Sequence, residues 1–212
     1  MRQITETVYT FDELSDAAKE KAREWYRGND GGLDYDWWDS VYDDAAAIGK
    51  LMGIDMAQKP VKLMNGSTRY DPAIYFSGFW SQGDGASFNA EYSYAKGCAK
   101  AVKDYAPKDE ELHRIARELQ DLQRHHFYTL TARVSTSGNY SHSGTMRLDY
   151  CQDRNGDCGA DTESDLLDLL RAFADWIYRQ LERECDYLTS DESVDETIRC
   201  NKYEFTEDGE RA

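Results

Sequence analysis

Residues 73–94 read AIYFSGFWSQGDGASFNAEYSY, and the fold class turns on whether this stretch is a hairpin or a ligand loop between helices. In its second half Phe88, Ala90, Tyr92 and Tyr94 alternate with Ser87, Asn89, Glu91 and Ser93, the two-residue period of a strand with one buried face. The first half, AIYFSGFW, is a short apolar run, and SQGDG joins the two. Gly83, Asp84 and Gly85 supply the residues that a hairpin with positive φ angles requires, and Gly78 beside Trp80 indicates a bulge or a close approach. A functional reading of the same loop has Trp80 and Phe79 offering apolar area to a partner while Ser81, Gln82 and Asp84 offer hydrogen bonds. The loop is neither a P-loop nor a dinucleotide fingerprint, because the lysine and the third spaced glycine are missing and no helix follows directly.

Outward from this hairpin the apolar period is helical. LSDAAKEKAREWYRG, residues 14–28, begins on a Ser15 N-cap and stops at Gly28, after a short strand in TETVYTF. In residues 34–53, Trp38, Val41, Ala45, Ile48 and Met52 recur at steps of three and four, which predicts a second helix with its acids on the other faces. A third helix starts at Asp109 with Leu112, Ile115, Leu119 and Leu122 on one face. It ends at His125 and His126, where alternation resumes through Tyr128, Leu130, Ala132 and Val134, turns in GNYSHSG, and returns through TMRLDYC as a second hairpin. A long helix after Asp161 carries Leu166, Leu170, Phe173, Ile177 and Leu181 beside Trp176, and a shorter helix and an edge strand KYEFTE close the chain. The expected fold is α+β: one compact domain over residues 1–212, with an antiparallel sheet of two hairpins packed against amphipathic helices.

The chain has 212 residues and a formal charge of −16, and its charge is segregated. Residues 30–44 carry six aspartates and no base, a charge of −6, and residues 161–212 carry sixteen acids against six bases, a charge of −10. The remainder is neutral. Such a surface repels nucleic acid and anionic membrane and attracts basic partners. Absence of an eighteen-residue apolar run and of a signal-peptide pattern leads to the expectation of a cytoplasmic protein. Five scattered cysteines without a CxxC pair predict buried free thiols rather than a disulfide framework or a zinc ribbon.

Chemistry-bearing motifs are few. Asp153, Asn155, Asp157 and Asp161 stand at the first, third, fifth and ninth places of a calcium loop, but Cys158 replaces the turn glycine and Ser164 the bidentate glutamate, so a surface turn explains them as well. The four histidines form no HExxH pattern and have no nucleophile in a GxSxG or Cys-His setting, and no cofactor or enzymatic activity is expected. The remaining partner-binding candidates are Asp34, Asp36, Asp39, Asp43 and Asp44 on the second helix, together with Trp37, which the Trp38 stripe leaves nearer the acidic side. On a helix, five carboxylates over residues 34–44 amount to one per about 3.3 Å of axis, close to the roughly 3.4 Å per phosphate of one DNA strand.

FDELSDAAKEKAREWYR at residues 11–27, FSGFWSQGDGASF at 76–88 and YLTSDESVDETIRCNKYEFTEDGER at 187–211 resemble a family of largely uncharacterised proteins from phages and bacterial mobile elements, some of them labelled antitoxins. The resemblance implies a setting in which small acidic proteins block host defence or neutralise toxins. With the segregated charge, it leads to the expectation of a protein that binds and inhibits a basic, nucleic-acid-handling protein of the anti-CRISPR, antirestriction or antitoxin type, with nucleic-acid mimicry as one means. The alternative is a small-molecule or metal-binding protein using the Trp80 loop or the Asp153 turn, and an unrecognised hydrolase is a third class.

Overall fold

The computed structural model describes residues 7–28, 33, 36–79 and 81–212. Of the candidate partner-binding residues, Asp34 and Trp80 lie outside the described residues. The protein is α+β, with antiparallel sheets and amphipathic helices, and the chain divides into two compact units, one of Met1–Trp37 with Glu182–Ala212 and one of Trp38–Leu181. No helix among the described residues is long and apolar enough to cross a membrane.

In the first unit, β1 (Tyr9–Thr10) leads through a 3-10 turn (Phe11–Glu13) into α1 (Asp16–Gly28). Ser15 begins α1 as its sequence predicts, its Oγ accepting from the Ala18 N–H at 3.3 Å. Near the C-terminus α6 (Asp191–Cys200) and β11 (Glu204–Phe205) follow, and β11 pairs antiparallel with β1 through Tyr9 and Phe205. Phe11, Leu14, Ala18, Ala22, Val194, Ile198 and Phe205 form the core, and Arg23 clamps Asp195 through two hydrogen bonds of 2.6 and 2.8 Å. The expected terminal edge strand is therefore present, pairing with the expected first strand.

The second unit begins with α2 (Asp39–Met52), β2 (Ile54–Met56), β3 (Gln58–Lys62), β4 (Thr68–Pro72), β5 (Ile74–Phe76), β6 (Ala86–Phe88) and β7 (Ala90–Tyr92). It continues through α3 (Cys98–Tyr105), α4 (Glu110–His125), β8 (Thr131–Thr136), β9 (Met146–Asp153), β10 (Gly156–Asp157) and α5 (Ala160–Leu188), whose residues from Glu182 onward belong to the first unit. The main sheet has the order β10-β9-β8-β7-β2, antiparallel throughout. Both predicted hairpins exist, β5 with β6 and β8 with β9. The strand expected across 86–94, however, joins the main sheet only beyond Asn89. At that residue the N–H bonds Ala73 and the carbonyl accepts from Ala57, while the side-chain oxygen takes the Thr136 N–H at 2.9 Å, so the strand breaks into β6 and β7.

Two further differences have local causes. The second helix starts at Asp39 rather than 34, and Asp36 and Trp37 sit in a turn ahead of it. Residues 58–72 form an extra hairpin closed by Asn65 and Gly66, with Gly66 at φ +83° and Asn65 Oδ1 accepting from the Ser67 N–H at 2.9 Å. Cys98, Cys151 and Cys185 are buried as expected, whereas Cys158 is half-buried and Cys200 exposed; all five are free thiols.

The turn from α4 into β8 is built around Gln123, 1% exposed, whose Nε2 donates to the Leu130 carbonyl at 2.8 Å while its Oε1 accepts the Leu130 N–H at 3.2 Å. Between them Phe127 and Tyr128 occupy the left-handed region, at φ +53° and +63°, a conformation that costs bulky residues about 1–3 kcal/mol each. Gln123→Leu orphans both buried backbone groups of Leu130, at about 1–3 kcal/mol per group. We expect its urea midpoint to fall well below that of Gln120→Leu on the same helix, and equal midpoints would contradict the role of the clamp.

In the 77–85 loop, Gly83 has the expected positive φ of +92°, but Gly85 does not; its constraint is space, since a Cβ there would lie 2.5 Å from His142 Cβ. Gly83→Val and Gly85→Val should both lower thermal stability, Gly83 through backbone strain and Gly85 through the clash with the 137–142 loop. For Gly85, enlarging the side chain from Ala to Val should deepen the loss, and His142→Gly should relieve part of it.

Candidate functional site

The sequence-favoured acids of α2 are mostly engaged within the protein. Asp39 accepts from Arg69 at 3.0 Å, and Arg69 also pairs with Asp71 at 2.6 Å, an arrangement that ties the β3–β4 hairpin to the start of α2. Asp44 accepts the Tyr105 hydroxyl hydrogen at 2.6 Å. Asp43 is exposed, and Asp36 and Trp37 are half-buried. Lys59, on β3 of the same hairpin, sets its Nζ over the rings of Tyr42 and Tyr75 and donates to the Ile74 carbonyl, and burial lowers its pKa.

The 77–85 loop is likewise held from inside. Asp84 Oδ2 accepts the Ser81 N–H at 2.6 Å, and the Phe79 ring lies 6.0 Å from that of Phe76 and 5.5 Å from that of Tyr178. Phe79 and Asp84 thus serve the packing and turn of the loop, as its hairpin reading implied, while Gln82 is exposed.

The calcium-type spacing at Asp153 does not converge. Asp153 accepts from His126 Nδ1 at 2.8 Å and from the Asn155 N–H at 2.7 Å, Asp157 accepts from Gln152 at 3.0 Å, and Asn155 and Asp161 are exposed. Among the described residues no three His, Cys, Asp or Glu side chains are placed to hold a metal ion. The Asp153 carboxylate can only accept, so His126 carries its proton on Nδ1 when neutral, and its Nε2 faces Thr162 Oγ1 at 3.3 Å. This chain of three side chains fastens the end of α4, the end of β9 and the first turn of α5 to one another.

That fastening leaves α4 and α5 as the two walls of a groove of about 510 Å³ lined by Arg114, Glu118, Asp121, Leu122, His125, Asp165, Asp168, Leu169 and Ala172. Residues 114, 118, 121 and 125 recur at steps of four, three and four, and so do 161, 165, 168 and 172, so each set is one helical stripe. The groove carries four carboxylates against one guanidinium, a formal −3 with His125 neutral. Its apolar residues, Leu122, Leu169 and Ala172, are only half-buried. By period alone Leu122 reads as core, and the α5 acids read as part of an undifferentiated acidic segment. Asp121-Leu122 and Asp168-Leu169 place an acid beside a half-buried leucine on each wall, but Asp165-Leu166 has the same form and a fully buried leucine, so the sequence alone does not mark the groove.

The hydrogen bond from His126, with that from Asn155, holds the Asp153 carboxyl below the usual carboxylate range. A depressed carboxyl contributes stability that is present above its unfolded pKa, about 3.9, and is lost as pH falls through its lower folded value. Asp153→Asn should therefore melt below the wild type at pH 7, and the difference should close as the pH is taken below about 4. A gap that persists undiminished at pH 2 would show that the ionised carboxylate is not what stabilises the fastening.

The family model for a domain of unknown function, DUF8835, matches residues 37–191, a span that holds α2 through α5 and both walls of the groove. No curated protein and no solved structure matches the chain. The matched residues make up most of the sequence, and the chain belongs to the DUF8835 family.

Proposed function

We propose that the protein is an acidic binding protein that captures and inhibits a basic, nucleic-acid-handling protein of host defence or of a toxin, acting in the cytoplasm of the cell that houses it. The observation that carries this reading is the exposed acidic face of α5. Asp161, Asp165, Asp168 and Asp175 lie on one stripe about 21 Å long, and all four are exposed. Of these only Asp168 has an ion-pair partner among the described residues, Arg171 at 3.6 Å. Solvated carboxylates on one rigid helix attract a basic surface over a Debye length, about 8 Å at physiological salt, and repel nucleic acid. The phage and mobile-element resemblance supplies the class of target, and the charge supplies the means. The metal reading has no converging ligands in its favour among the described residues, and the open acidic groove does not favour the small-molecule reading.

The test is affinity capture from bacterial lysate at low salt, followed by assay of the captured partner's nucleic-acid binding or cleavage. Enrichment of a basic nucleic-acid-handling protein, its release on raising salt toward about 0.5 M and its inhibition by the protein are the expected results. Neutralising Asp161, Asp165 and Asp175 to Asn should reduce capture at least tenfold. A partner held equally by this variant and at high salt, or tight binding of DNA or RNA by the protein itself in a gel shift, would overturn the reading.

A further inference from the structure

We propose that the groove between α4 and α5 receives a basic amphipathic helix of about two to three turns, an inference that deepens the proposed function and rests on it. Both the floor and the walls select this occupant. Leu122, Leu169 and Ala172 stay half-exposed at the bottom of the groove, so water is displaced when an apolar side chain enters. Around them Glu118, Asp121, Asp165 and Asp168 form an acidic rim. An apolar centre inside a charged rim is the arrangement by which a helix is held in a groove, its apolar face seated at i, i+3, i+4 and i+7 and its basic flanks over the rim.

The dimensions agree. From Arg114 to His125 the α4 wall runs about 16 Å, and from Asp165 to Ala172 the lining stretch of α5 runs about 10 Å, so the groove accommodates roughly seven to eleven residues of helix. Two helical walls offer ridges at the three- and four-residue spacing that a third helix interdigitates with, whereas an extended strand would find no sheet edge here to pair with.

Three of the rim acids already have partners on their own helices: Glu118 with Arg114 at 2.8 Å, Asp121 with Arg124 at 2.9 Å and Asp168 with Arg171 at 3.6 Å. The first two pairs are exposed and such pairs contribute little, while the half-buried Arg171 also donates to the Ser143 and Met146 carbonyls and holds Asp168 only at 3.6 Å, so an incoming lysine or arginine exchanges with them at small cost. Asp165 has no ion-pair partner among the described residues and is the first contact available to an incoming cation. The rim makes recognition sensitive to salt, and the floor adds a component that salt does not screen.

A fluorescein-labelled synthetic peptide of fourteen residues, with Leu at i, i+3, i+4, i+7 and i+11 and Lys at the flanking positions, provides the probe. It is titrated with the full chain by anisotropy beside a peptide of the same composition in scrambled order. The ordered peptide should bind at least tenfold more tightly than the scrambled one. Leu169→Gln should abolish that preference while leaving the salt-dependent attraction, and Asp165→Lys with Asp168→Lys should weaken both peptides. Thermal melts establish that each variant folds, and Ala172→Glu, which fills the groove from a half-exposed position, replaces Leu169→Gln if that variant does not. Equal binding of the two peptides, or a preference that survives in a folded floor variant, overturns the inference. If capture of a basic partner from lysate is undiminished by the floor variants, the inference falls and the proposed function stands. If the ordered peptide is preferred but no basic partner is ever captured, the groove stands and the proposed function falls.

Discussion

The side chain of Gln123 is buried and bonds both backbone groups of Leu130, and this pair of bonds holds the turn by which α4 leads into β8. A helix end pointing into a strand leaves carbonyls and N–H groups that water cannot reach, and one amide side chain satisfies a donor and an acceptor at once. Phe127 and Tyr128 accept left-handed conformations so that the chain can reverse within this space. The reversal sets His126 beside Asp153 at the end of β9 and beside Thr162 in the first turn of α5. These contacts hold α4 and α5 together at this end, beside the groove that the two helices line.

Charge is distributed under a related constraint. The chain has 41 acids and 25 lysines and arginines, so not every carboxylate can find a cation. Where elements must be joined, arginines are used: Arg69 joins α2 to the β3–β4 hairpin, and Arg23 joins α1 to α6. Partly buried bidentate pairs of this kind have directional value that solvated pairs lack. The acids left over include those on the exposed stripe of α5. The same shortage of cations that makes the chain acidic thus determines which acids can meet a partner.

Many of these features were readable from the residues. Ser15 and Gly28 bound α1, the alternation in 86–94 and 128–134 marked strands, and the 3.6 period of α4 and α5 identified their buried faces, because local chemistry decides these features. The β3–β4 hairpin carried an Asn65-Gly66 turn signal, but its half-exposed strands alternate too weakly to be recognised from period alone. The division of one predicted strand at Asn89 depends on Ala57, Ala73 and Thr136, residues distant in sequence, and so does the role of Gly85, whose neighbour is His142. The candidate site divided in the same way. That the chain is acidic was evident in composition, whereas the engagement of Asp39 and Asp44 by Arg69 and Tyr105 is a tertiary fact. Moving the proposed contact surface from α2 to α5 required those partners to be located.

If the α4–α5 face, and not the α2 acids or the 77–85 loop, meets the partner, its carboxylates become inaccessible in the complex. Carboxyl footprinting tests this directly, by coupling a small amine to exposed Asp and Glu side chains in the free protein and in its captured complex and reading each site by mass spectrometry. Complex formation is expected to protect Glu118, Asp121, Asp165 and Asp168 while Asp43 is labelled to the same extent in both states. Protection of Asp43 with the α4 and α5 carboxylates unchanged would contradict the assignment of that face.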